Sequence, residues 1–245
     1  IGFEAGGGAT MTGNNNILIG TDAGHDLTSG AGNIFIGTEA GDKTDDGSNN
    51  VVIGLRAGGA NFSDSMTAVG FEAAAASTAP IVAIGARAAK ANTVSVANTA
   101  VGSSCLLNNQ AGQLVTAMGA SCLQNFNISS NANNYNSAFG FSAGLDVETA
   151  GSLALFGANA GQNITTGGAH VCIGRDTAST LTTGGSCIAI GFSTDVSAAG
   201  ASNQIALGLD MATTEDNQFA FGKASNVVSN NFATNASFSR SSDVH

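Results

Sequence analysis

Tryptophan is absent from this chain of 245 residues, tyrosine and proline occur once each, and only seven residues are Lys or Arg. Each shortage excludes something. Seven scattered cations against 17 Asp and Glu give a net charge of −10, which speaks against a nucleic-acid partner. No apolar run approaches the roughly 18 residues of a membrane span. The richest stretch, Phe71 to Ala91, is broken by charges and by Pro80, so no membrane insertion is expected. The four cysteines show no CxxC spacing, and no phosphate-binding glycine loop or zinc motif is written anywhere, so no cofactor, metal or catalytic residue is expected.

Glycine, at 34 residues, is what the chain has in abundance. Asn15 to Gly24 reads NNILIGTDAG, and Gly32 to Gly41 reads GNIFIGTEAG. The same phrase continues. A glycine following a short apolar run recurs at Gly2, 20, 37, 54, 70, 85, 102, 119, 140, 157, 174, 191, 208 and 222. The gaps lie between 14 and 21 and are mostly 17. One such unit cannot bury an apolar face alone, whereas stacked units can. The period therefore predicts an all-β fold, a β-solenoid of about 14 coils of roughly 17 residues. At about 4.8 Å per coil it would be a rod roughly 60 Å long.

Each column of the repeat has a physical reading. The alternation before the glycine, as in Ile17 and Ile19 or Ile34 and Ile36, predicts a strand with its large residues filling the core. The glycine implies a tight corner. A small residue three positions later (Ala23, Ala40, Ala57, Cys105, Cys122) implies close approach of another wall. Stacking places Cys105 and Cys122 one coil apart, and a buried small-residue role is favoured over a bridge. Four positions before the glycine stand Asn16, Asn33, Asn50, Asn98 and Asn136, a column that fits either turn-forming Asn or a hydrogen-bonded amide ladder. Residues 1–222 form the repeat body, and 223–245 read as an irregular exit segment. The opening IGFEAG reads as the second half of a repeat, as expected of a piece of a longer protein.

Chemistry was sought in the same columns. Asp22 and Glu39 stack as a carboxylate pair, but Arg56 and Arg87 follow in register, which favours a solvated ionic edge over a glycosidase or calcium site. The Asp-rich turn Asp42 to Asn50 lacks the closing Glu of a calcium loop. The repeat breaks most visibly between Gly119 and Gly140, where about four extra residues accompany Phe126, Asn127, Asn131, Asn134 and Tyr135. Aromatic rings among amides on a rigid scaffold suit a carbohydrate, so these five are the candidate receptor-binding loop.

Three family resemblances follow. SNQIALGLDMAT and NTAVGSSC resemble head repeats of trimeric autotransporter adhesins, although those repeats are shorter. IGTDAG, IGTEAG and IGLRAG are similar to the hexapeptide rule of left-handed β-helix acyltransferases, which write it three times per coil rather than once. In that family the catalytic His would be His25 or His170, without the helical domain expected beside it. Runs of this type with TTG turns resemble the shafts of bacteriophage tail fibres. The end, Ser241, Ser242, Asp243, Val244 and His245, resembles the junction that opens an endosialidase-type intramolecular chaperone. This last resemblance implies an intertwined or side-by-side homotrimer in a virion tail fibre. Its partners would be other tail proteins and a host cell-surface glycan or protein. A bacterial surface adhesin and a polysaccharide-degrading tailspike are the alternatives.

Overall fold

The computed structural model describes residues 1–8, 10–93, 97–128 and 134–232. The short apolar runs become strands: β1 (Ile17–Ile19), β2 (Ile34–Ile36), β3 (Val51–Ile53), β4 (Thr67–Val69), β5 (Val82–Ile84), β6 (Thr99–Val101) and β7 (Thr116–Met118). They continue as β8 (Ser137–Phe139), β9 (Ala154–Phe156), β10 (Val171–Ile173), β11 (Ile188–Phe192), β12 (Ile205–Leu209), β13 (Gln218–Lys223) and β14 (Asn226–Asn231). All belong to one sheet in chain order. From β1 to β13 neighbours are parallel and in register, with Ile17 opposite Ile34 and Leu207 opposite Phe221. The uneven steps leave this register intact. Val69 pairs with Ile84 across a short coil, and Met118 with Phe139 across the longest. The chain is a β-solenoid, and length differences are absorbed away from the strands.

Backbone hydrogen bonds join each coil to both neighbours. The Gly37 N–H donates to the Ile19 carbonyl at 2.7 Å, and the Gly24 N–H to the Ala40 carbonyl at 2.9 Å. The glycine corner is demanded twice over at Gly20. Its φ is +134°, and a Cβ there would sit 2.4 Å from the Gly37 carbonyl oxygen.

The core corrects one expectation from the sequence. The middle residue of each strand points inward, and the large residues flanking it point outward. Phe35, Val52, Ala68, Ala83, Ala100 and Leu155 are buried, while Ile19, Ile84, Met118, Phe156 and Ile190 are exposed. The interior of so narrow a coil has room for one strand residue only. The small-residue column faces inward as expected.

Volume across this thin interior is balanced within most coils; at Gly144, opposite Ala138, the space is taken instead by Leu123 and Leu155 of the adjacent coils. Where the strand centre is large, the residue four after the corner glycine is another glycine: Gly24 beside Leu18, Gly41 beside Phe35, Gly161 beside Leu155. A Cβ on Gly41 would lie 2.9 Å from the Phe35 ring. Where the centre is Ala83, Ala100 or Ala117, the same position holds Ala89, Leu106 or Leu123, all buried. Close packing requires this complementarity.

The amide ladder exists, and it is chiefly a side-chain-to-backbone ladder. Asn16 Oδ1 accepts from the Asn33 N–H, and Asn33 Oδ1 from the Asn50 N–H, each at 3.0 Å. Asn98 and Asn136 accept likewise from Val115 and Leu153. The Nδ2 groups of Asn33, Asn98 and Asn136 donate to carbonyls of Gly47, Gly112 and Ala150. Each buried amide is thereby satisfied against the coil above it.

At the far end part of the segment expected to be irregular, Asn226–Asn231, forms β14. It pairs antiparallel to β13, Phe221 opposite Val228, and covers the last strand's edge. Val227 packs on Ala206, Met211 and Ala220. Exposed strand edges template association, so a covered edge protects the stack.

Candidate functional site

Two columns of side chains, six and eight positions after the corner glycine, point outward from the wall opposite the narrow core. Over most of the solenoid they vary, but around the long step they become amides and acids. Asn108, Asn125 and Asp146 stand in one column, and Gln110, Asn127, Glu148 and Thr165 in the other. They line an elongated recess of about 480 Å³ that crosses five successive coils. Its floor is fixed by the coil-to-coil backbone ladder, with the Asn127 N–H on the Glu148 carbonyl at 3.0 Å and the Glu148 N–H on the Thr165 carbonyl at 2.9 Å.

The first column is pre-ordered. Asn108 Nδ2 donates to Asn125 Oδ1 at 3.1 Å, and Asn125 Nδ2 to Asp146 Oδ1 at 3.1 Å. That relay orients the three groups while leaving lone pairs and N–H bonds for a ligand. A row of amides and carboxylates spaced by one strand separation presents hydrogen-bond donors and acceptors in a regular line.

The structure separates the five residues expected to form a receptor loop. Asn127 lines the recess. Phe126 is fully buried, and a Cβ on Gly112 would lie 2.5 Å from its ring, so it is core rather than a sugar platform. Its position, seven after the corner glycine, is the inward one also held by Leu27, Val147, Ile164 and Leu181. Asn134 is also buried, its Oδ1 without a hydrogen-bond partner among the described residues. Tyr135 is exposed at φ +52°, in the column of Leu114 and Ser152 at the start of the sheet wall, away from the recess. Asn131 lies outside the described residues, as do Ser241, Ser242 and Asp243. Asn108, Gln110, Asp146 and Glu148 belong to regular coils and carry no irregularity in the sequence that would mark them. Their signal was regular: polar residues stacked in register across the long step.

The acidic column behaves as an ionic edge from Glu39 to Arg87, and gives way to Ser104, Ser121, Ser142 and Asn159 in the coils that follow. Glu39 accepts from Arg56 at 3.0 Å, and Glu72 meets Lys90 at 2.7 Å and Arg87 at 3.5 Å. The Lys90 hydrogen bond holds Glu72 below the usual carboxylate range. In the Asp-rich turn, Asp42 is raised by partial burial and lies 3.3 Å from Lys43.

The four cysteines are free and buried. Cys105 Sγ donates to the Ala117 carbonyl at 3.1 Å, and Cys122 Sγ to that of Ala138 at 3.3 Å. Burial pushes Cys172 up to about 12. Thiols so placed are inert packing. His170 is buried in the amide column, where its Nδ1 accepts from the Cys187 N–H at 3.2 Å.

Comparison with known proteins returned no matching family model, curated protein or solved structure.

Proposed function

We propose that the chain is a segment of a trimeric fibre, of the kind carried by bacteriophage tails, that attaches a virion to the surface of a bacterial cell. One observation carries this reading: the outward face of the sheet. Ile17, Ile19, Val82, Ile84, Met118, Phe156, Ile173, Ile190 and Phe221 are exposed along it from one end of the stack to the other. The Phe139 and Phe156 rings stack outside the core at 4.8 Å. Beyond the glycine corner a further apolar column continues with Leu55, Phe71, Phe141, Phe192 and Leu209. A continuous patch of this extent marks an association surface. Another copy of the chain has the same length and coil spacing. A face that turns a corner meets two neighbours at once, which favours three copies about a common axis.

The polar recess lies on a different wall and remains open to solvent in such a trimer. Three copies on one stiff rod would bind a repetitive host glycan by avidity. Sedimentation of tag-free protein is expected to give a species of 3 × 24.0 = 72 kDa. A 24.0 kDa monomer at tens of micromolar would remove the reading. The recess is tested by binding of the trimer to host envelope polysaccharide. Replacing Gln110 and Asn125 together by Ala is expected to weaken binding at least tenfold without altering the oligomer. Release of oligosaccharides during that assay would point instead to a degrading tailspike.

A further inference from the structure

Along the ionic edge carboxylates meet cations, as Glu39 meets Arg56 and Glu72 meets Arg87 and Lys90. The first two members of the column differ. Glu4 and Asp22 project from successive coils, at φ +52° and +55°, and the group that faces them is an imidazole, His25. The donor atoms of these three side chains all lie within 4.8 Å of one another. His25 Nε2 is 3.7 Å from Glu4 Oε2.

The imidazole is held from behind. Its Nδ1 lies 2.7 Å from Asp26 Oδ1, which leaves Nε2 directed at the carboxylates. A carboxylate behind a histidine fixes its tautomer and strengthens it as a ligand. Space for the ring is reserved by Gly8, where a Cβ would sit 2.4 Å from His25 Cε1. The backbone beneath is tied coil to coil, the Asp22 N–H to the Phe3 carbonyl and the Gly8 N–H to the His25 carbonyl, each at 3.0 Å. Glu39 and Asp42 border the same recess of about 350 Å³, and its lysine, Lys43, lies beside Asp42. Negative charge is therefore in excess around one imidazole.

We propose that Glu4, Asp22 and His25 bind a divalent transition-metal cation, with Zn²⁺ the best match, and that the ion clamps two successive coils together. Zinc takes His nitrogen and carboxylate oxygen at about 2.0–2.2 Å, which places its donors roughly 3.0–3.5 Å apart. The donor atoms, all within 4.8 Å of one another, reach that by adjustment of side chains that are at least partly exposed. The open side leaves the remaining coordination to water. A His with two carboxylates selects this class of ion over calcium, which takes oxygen ligands only.

The test is calorimetric titration of chelator-stripped, tag-free protein with ZnCl₂, MnCl₂ and CaCl₂. One equivalent of Zn²⁺ per chain is expected, with affinity falling at least tenfold in His25→Ala and in the double variant Glu4→Gln, Asp22→Asn. Substitution by Co²⁺ should give a visible d–d band that His25→Ala abolishes. These side chains face solvent, so the variants should keep the wild-type circular dichroism. Zinc binding that survives His25→Ala, or calcium binding as tight as zinc, would overturn the proposal. So would the absence of binding, which would leave His25 as a simple counter-ion to Asp26 and Glu4.

Discussion

At the corner of each coil a single hydrogen atom decides whether the stack can close. Gly20 and its counterparts combine a backbone angle that side chains avoid with direct apposition to the next coil's carbonyl. Gly20→Ala is therefore expected to cost roughly 3 kcal/mol or more, from backbone strain and overpacking together. Gly185 is a fair control, because a Cβ there meets nothing nearer than the Gly168 oxygen at 3.9 Å. Chemical denaturation should show a large loss for the first variant and about 1 kcal/mol or less for the second. The repeat made Gly20 legible, since a residue written fourteen times at one position has a geometric cause.

His170 is the residue-scale exception. It stands where Asn33, Asn98 and Asn136 stand, and its Nδ1 takes over their acceptor role. Its Nε2, however, has no hydrogen-bond partner among the described residues. Burial lowers its pKa below the ordinary 6.5, only partly opposed by the nearby Gly184 carbonyl. For a base depressed in the fold, the stabilising contribution is present above 6.5 and is lost as the pH falls from there toward the folded value. His170→Asn restores an amide that can bond both the Cys187 N–H and the Gly184 carbonyl. It is expected to gain about 1 kcal/mol at neutral pH. The gain should widen as pH falls from 7 to 5, measured by thermal melts across that range. An unchanged or shrinking difference would show that His170 does not titrate with unfolding.

At the scale of the coil, the inverse sizing of strand centre and opposite wall makes a sharper claim than either residue alone. Phe35→Ala should cost about 3–5 kcal/mol by opening a cavity. Gly41→Ala should be destabilising because its methyl meets the Phe35 ring. The double variant recreates the pairing already used by Ala83 with Ala89, so the two losses should not add. A coupling energy of at least 1 kcal/mol is expected from a double-mutant cycle, and simple additivity would refute the compensation. Individual columns were readable from the sequence, but their pairing was not, because the two residues are six apart in sequence and opposed only once the coil closes. Phe126 shows the same limit. An aromatic among asparagines suggested a sugar platform, yet its place in the coil directs it inward with Val147 and Ile164.

The whole molecule carries the remaining consequence of a narrow interior. A strand with only its middle residue inside must leave its flanking residues outside, and here many of those are Ile, Val, Met and Phe, with Thr or Ser in other coils. Ile84→Asp and Phe156→Asp both place charge on the exposed face without touching the core. Each is expected to convert the proposed trimer to monomer at micromolar concentration while the β-sheet dichroism persists. The wild-type melting temperature should rise with protein concentration, and that dependence should vanish in the two variants. A trimer that survives both substitutions would place the interface elsewhere.

The period, the glycine corners, the inward small residues and the amide column were determined by the sequence alone, because each is a local demand repeated every coil. Alternation within the strand showed that neighbouring residues face opposite ways, but it could not say which face is the inside. Closure of the coil decided that, admitting the middle residue and turning the flanking ones outward. The polar recess likewise exists only in three dimensions. Its walls come from five coils whose side chains are separated by whole turns of chain and brought together by register.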